Sequence, residues 1–204
     1  MSAWFDARLF GQVFVTLLVI MDPPGSVPVF LSLTGGHSRK ARNRSADLAV
    51  VTALTVIVVF ALFGQQVLAY LHVTLPALQV AGGLLLLLVA LELLMGWGNE
   101  AARKDDVNVS MVPLGTPLLA GPGAIAATIV FAKAVHQGRE ALALAAAIVA
   151  VHVVLWLTLR FSTLILRVLG RSGVSLVTRI AGLLLSSIAV QLAADGISKF
   201  VAAN

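Results

Sequence analysis

The chain has 204 residues, 59% of them hydrophobic and only 11% charged, with a mean hydropathy of +1.00. So few charges cannot cover the surface of a soluble domain of this size, so the bilayer is the expected solvent and a separate soluble domain is excluded. The net charge of +5 is explained by basic loops that set membrane topology rather than by nucleic acid, and the absence of cysteine excludes disulfides, thiolate chemistry and Cys-ligated metal.

A span needs about 20 mostly apolar residues. Six such stretches follow one another in this sequence. The first covers about 8–33 and is interrupted by Asp22-Pro23-Pro24-Gly25-Ser26-Val27-Pro28. The second covers about 47–71, with Asp47 as its expected N-cap. The third covers about 75–97, and a polar loop over 98–110 follows. The fourth covers about 111–134 and is interrupted by Thr116-Pro117-Leu118-Leu119-Ala120-Gly121-Pro122-Gly123. The fifth and sixth cover about 140–169 and 175–200. The apolar runs are continuous rather than alternating, which excludes a β-barrel. No small-residue cleavage site precedes the first interruption, so a cleaved signal is not expected.

The basic residues are unevenly shared among the links. Arg39, Lys40, Arg42, Arg44, Arg103, Lys104, Arg160, Arg167, Arg171 and Arg179 fall on one side of a six-span layout. Arg8, Lys133, Arg139 and Lys199 fall on the other. The positive-inside rule then places both termini outside the cytoplasm.

An internal repeat runs through these spans. Pro24-Gly25-Ser26-Val27 resembles Pro122-Gly123-Ala124-Ile125, 98 positions on. Ala81-Gly82-Gly83-Leu84-Leu85 resembles Ala181-Gly182-Leu183-Leu184-Leu185, 100 positions on, and Gly96 and Gly196 extend the match. Three spans separate the copies, and three is odd, so the second copy crosses the membrane in the opposite sense. The expected fold is therefore all-α and integral to the membrane. It has six transmembrane helices as two inverted three-helix repeats, residues 1–98 and 111–204, joined by a cytoplasmic linker over 99–110. Inverted repeats are an architecture of secondary transporters, with the substrate held at discontinuous helices.

Both interruptions contain the residues that break helices. Proline removes a hydrogen bond and clashes with the preceding turn, at about 3 kcal/mol, so spans one and four are expected to be discontinuous. Their second halves are expected to begin near Gly25-Ser26 and near Gly123-Ala124. The free N–H groups there attract an anionic group, and the carbonyls ending the first halves suit an ammonium group or a cation. A small zwitterion meets both demands. The candidate substrate residues are Asp22, Pro24, Gly25, Ser26, Thr116, Gly121, Pro122, Gly123 and Ala124. Asp22, Glu92 and Arg179 are candidates for gating or coupling, since intramembrane ionisable residues read as functional positions. His152, Gln65, Gln66, Ser186, Ser187 and Gln191 read as polar glue between helices. There is no H-E-x-x-H, no G-x-S-x-G and no P-loop, so no enzyme, metal site or nucleotide-driven pump is expected.

Met21 to Phe30 (MDPPGSVPVF), with Pro117-Leu118-Leu119-Ala120-Gly121-Pro122-Gly123-Ala124-Ile125 and Arg179-Ile180-Ala181-Gly182-Leu183, resembles the MarC family of integral membrane proteins. The resemblance covers essentially the whole chain. It implies a six-span protein of a bacterial or archaeal cytoplasmic (inner) membrane. It also implies transport of small neutral amino acids such as glycine and alanine, with no bound cofactor and H+ or Na+ as the coupling ion. Two positions depart from the family pattern: Ser26 stands where Asn is usual, and Gln79, the counterpart of Arg179, stands where a basic residue is usual. The sequence leaves open an uncoupled channel or facilitator, an exporter of another small metabolite, and assembly into a homo-oligomer.

Overall fold

The computed structural model describes residues 5–95 and 119–202. All regular structure among them is helical: α1 (Ala7–Met21), α2 (Pro23–Leu33), α3 (Arg39–Tyr70), α4 (Leu75–Met95), α5 (Pro122–Lys133), α6 (Gly138–Arg160) and α7 (Ser162–Ala202). Five stretches are long and apolar enough to cross a membrane: Ala7–Leu31, Arg39–Tyr70, Leu75–Met95, Gly138–Arg160 and Ser172–Ala202. The described part of the expected fourth span is the shorter α5. Its first half, with Thr116, and the 99–110 linker lie outside the described residues.

Several boundaries differ from expectation, each for a local reason. Asp47 is not a cap. Helix α3 begins eight residues earlier, where the Ser38 hydroxyl accepts the Ala41 N–H at 3.3 Å. The basic run over 39–44 therefore lies on the helix, because Lys and Arg are good helix formers. Span five ends at Arg160 rather than near residue 169. Helix α7 then begins at once and is broken at Gly170, whose φ of 66° and ψ of 174° suit glycine alone. At the other end of α6, the Gln137 and Glu140 side chains close a capping box, with the Glu140 carboxylate accepting the Gln137 N–H at 3.1 Å.

Small residues bring α4 and α7 together. Gly83 lies against the backbone of Ala189 and Ala193, Gly182 against the Ala90 carbonyl, and Gly196 against Pro76 and Val80. As α4 advances through these contacts, α7 retreats, so the two helices run antiparallel. They are the third and last helices of the two expected repeats. The remaining packing is exchanged between the halves: α2 packs on α6 and α7, while α5 packs on α3 and α4.

The main core joins α1, α2, α3, α5 and α6 through Val13, Leu17, Phe30, Ala53, Ile57, Ala127, Ala147, Val151 and Leu155. A second cluster, Leu86, Ala90, Leu185 and Ala189, fills the α4–α7 seam. Leucine and valine side chains point outward from α3, α4 and α7, among them Leu62, Leu88 and Leu183. A helix with apolar residues on its outer face is one whose solvent is lipid.

Candidate substrate site at the helix break

The first span breaks at one residue. Asp22 takes the left-handed conformation, φ 38° and ψ 69°, directly after α1. The break has a plain cause. Pro23 and Pro24 lack N–H groups, so the carbonyls of Val19 and Ile20 lose their helical donors. The second half-helix begins at Pro23, two residues before the expected Gly25. Proline tolerates a helix start, because the first N–H groups of a helix have no internal partner.

The Asp22 carboxylate turns back over the new helix. It is 6% exposed and sits against the Gly25 backbone and the Thr178 hydroxyl of α7. Neither oxygen makes a hydrogen bond of good geometry, and the Thr178 hydroxyl is likewise unsatisfied. Among the described residues no ion pair reaches Asp22. A buried carboxylate in that condition is costly, which makes it stand out from the residues that merely hold helices together. Gly25 is needed here, since a methyl group at that position would overlap the carboxylate. Ser26 faces the break rather than open space: its hydroxyl donates to the Asp22 carbonyl at 3.0 Å and more weakly to that of Met21 at 3.4 Å.

The second motif starts a helix with open donors. Gly121 is the N-cap of α5, in extended conformation and with no side-chain cap, and Pro122 is the first helical residue. The N–H groups of Gly123 and Ala124 therefore have no carbonyl one turn back within the helix. Gly123 packs against Leu86 of α4 and lies near Ile20, two residues before Asp22. The two motifs thus meet at the end of α1. Only the first carries an acid, because the repeat puts the buried Ala120 where Asp22 stands.

The other expected positions are distributed differently. Glu92 and Arg179 are exposed on the outer faces of α4 and α7, and no ion pair among the described residues joins them to each other or to Asp22. Gln79, the counterpart of Arg179, is buried with its Oε1 unsatisfied. The glue expected of Ser186, Ser187 and Gln191 is not interhelical. Both serines donate to the Leu183 carbonyl and Gln191 donates to Asp195, all within α7. His152 is buried, with Nδ1 at 2.8 Å from the Ile148 carbonyl of its own helix and Ala53 of α3 facing the ring. Thr178 was not singled out from the sequence. It stands beside Arg179 in the last motif, but only the packing of α7 on α2 brings it to Asp22.

A family model, that of the MarC family integral membrane proteins, matches residues 7–201. This chain belongs to the MarC family. It is 36% identical over 200 residues to a UPF0056 membrane protein of Methanocaldococcus jannaschii, covering 94% of this chain and 97% of the relative. It is 37% identical over 202 residues to one of Aquifex aeolicus, covering 95% and 94%. The Escherichia coli UPF0056 membrane protein YhcE is 28% identical over 204 residues, covering 96% and 95%. These relatives of the MarC chain are named only as membrane proteins, and no catalytic activity is indicated for them. No solved structure matches the chain.

Proposed function

We propose that this MarC protein is a secondary transporter that moves small neutral amino acids, of the glycine and alanine type, across the inner membrane by alternating access. The observation that carries the reading is the buried Asp22 carboxylate at the left-handed break, reached by no ion pair among the described residues, with the uncapped start of α5 packed near Ile20 of the same helix end. A zwitterion fits the two features together. Its ammonium meets Asp22 and the carbonyls that Pro23 and Pro24 leave unpartnered at the end of α1. Its carboxylate meets the Gly123 and Ala124 N–H groups, where the helix dipole favours negative charge. The start of α2 is less suited to that role, because Asp22 itself covers the Gly25 backbone. Thr116, Pro24, Ser26, Gly121 and Pro122 complete the proposed binding segments, and the glycines leave room only for a small side chain.

The antiparallel α4–α7 pair and the exchanged packing of α2 and α5 support two inverted halves around this site. In that frame both termini lie outside the cytoplasm. The breaks are closely packed in this conformation, so access requires the halves to move. Coupling to H+ or Na+ would act at Asp22, and Glu92 and Arg179 would act as gate residues in another conformation.

The test is uptake of labelled glycine and alanine by proteoliposomes, with and without a pH or sodium gradient, for wild type and Asp22→Asn. Accumulation driven by one gradient and lost in Asp22→Asn is the expected result. Equilibration without accumulation would make the protein a facilitator. No uptake by folded, inserted wild type would sink the amino acid assignment.

A further inference from the structure

A second polar site lies away from the breaks, where α3 begins and α6 ends. A cleft of about 540 Å³ is lined by Arg39, Lys40, Asn43, Arg44 and Asp47 of α3 and by Arg160 of α6. The α3 residues recur at helical spacing and form one stripe, whereas Arg42 of the same basic run does not line the cleft. Its one acid is already engaged. Asp47 Oδ1 accepts the Trp156 indole N–H at 2.7 Å and faces Arg160 at 3.4 Å, and the Arg160 guanidinium lies 5.5 Å from the Trp156 ring centre. Asp47 thus fixes the cleft wall and neutralises one cation. Three further cations, Arg39, Lys40 and Arg44, face the same space.

Loop charge that merely sets topology requires neither a shared cavity nor a braced wall. Two features therefore point to a bound anion. The apolar surface beneath the cleft says which kind. Leu48 and Val51 continue the stripe one and two turns deeper, and Leu157 lies one turn below Arg160, all three exposed. Cations above exposed apolar side chains match a phosphate headgroup above acyl chains, and a tryptophan at the boundary suits the interface. A soluble phosphate compound would have no use for the apolar part.

We propose that this cleft is a binding site for an anionic phospholipid, with the headgroup phosphate held by Arg39, Lys40, Arg44 and Arg160 and the acyl chains lying along Leu48, Val51 and Leu157. The site is independent of the helix breaks and of what the protein transports.

Native mass spectrometry of the full chain, released from nanodiscs of mixed phosphatidylglycerol and phosphatidylcholine, tests this. Wild type is expected to retain phosphatidylglycerol at least about tenfold over phosphatidylcholine. Lys40→Gln with Arg44→Gln should reduce that preference to near parity, while Arg42→Gln should leave it unchanged. Asp47→Asn keeps an acceptor for Trp156 but removes a negative charge, and should raise phosphatidylglycerol retention. An equal loss in the Arg42 variant would reduce the effect to diffuse charge and overturn the proposal. Undiminished retention in the double variant would overturn it as well. So would displacement of the lipid by millimolar inorganic phosphate, which would make the cleft a site for soluble phosphate.

Discussion

The α4–α7 seam offers the sharpest test of how this fold is held. Lipid tails are as apolar as leucine, so helices in a bilayer associate through close packing of small residues rather than through hydrophobic burial. Gly83 carries this logic. A methyl group there would lie 2.7 Å from the Ala189 carbonyl oxygen and 2.8 Å from the Ala193 nitrogen. Both are backbone atoms of a helix and cannot swing aside, so α4 and α7 must separate by several tenths of an ångström. Overpacking of this kind costs about 1–3 kcal/mol. Against it stands the better helix propensity of alanine, up to about 1 kcal/mol. The net expectation for Gly83→Ala is a loss of up to about 2 kcal/mol. Gly11 in α1 is the control, since a methyl group there meets nothing within 4 Å and Gly11→Ala should be neutral or stabilising. Tryptophan-fluorescence unfolding of both variants in detergent or bicelles measures the difference. A Gly83→Ala protein as stable as Gly11→Ala would refute the close approach of the two helices.

Other outcomes follow from single positions. Gly25→Val and Gly123→Val should abolish proteoliposome uptake while folded protein still inserts, because the new side chains overlap Asp22 and Leu86; undiminished transport by both would remove the breaks as the substrate site. Trp156→Phe deletes the 2.7 Å bond to Asp47 and should cost about 0.5–1.5 kcal/mol in unfolding followed by circular dichroism, whereas no change would show the bond to be dispensable. Gly170→Ala forces a side chain onto a φ of 66° and should cost about 1–3 kcal/mol, and an unaltered stability would argue against that backbone geometry. The chain contains no cysteine, so single Cys substitutions report topology cleanly. Ser38→Cys is expected to react with an impermeant maleimide only from the cytoplasmic side and Gly138→Cys only from the outer side, and the reverse pattern would invert the orientation.

Composition and pattern by themselves settle the class of this protein. A chain this apolar has few places to put a charge, so its long runs read directly as membrane helices. The consecutive prolines after Asp22 announced the first break, because proline acts on its own helix and needs no distant partner. The motifs that place the chain among MarC proteins are likewise contiguous in sequence. What tertiary structure decided depends on residues far apart along the chain. Asp22 lies buried at the break with Thr178 against it only because α7 packs over that turn. Glu92 and Arg179, equally conspicuous as letters, turned outward, while Gln79 turned in. Asp47, read as a cap, became the brace of a basic cleft because α6 delivers Trp156 and Arg160 to it. The antiparallel seam needed the facing backbone of the other helix to give Gly83, Gly182 and Gly196 their meaning. Helix breaks and hydropathy are local physics and can be read along the chain, whereas burial, pairing and close approach belong to two helices at once.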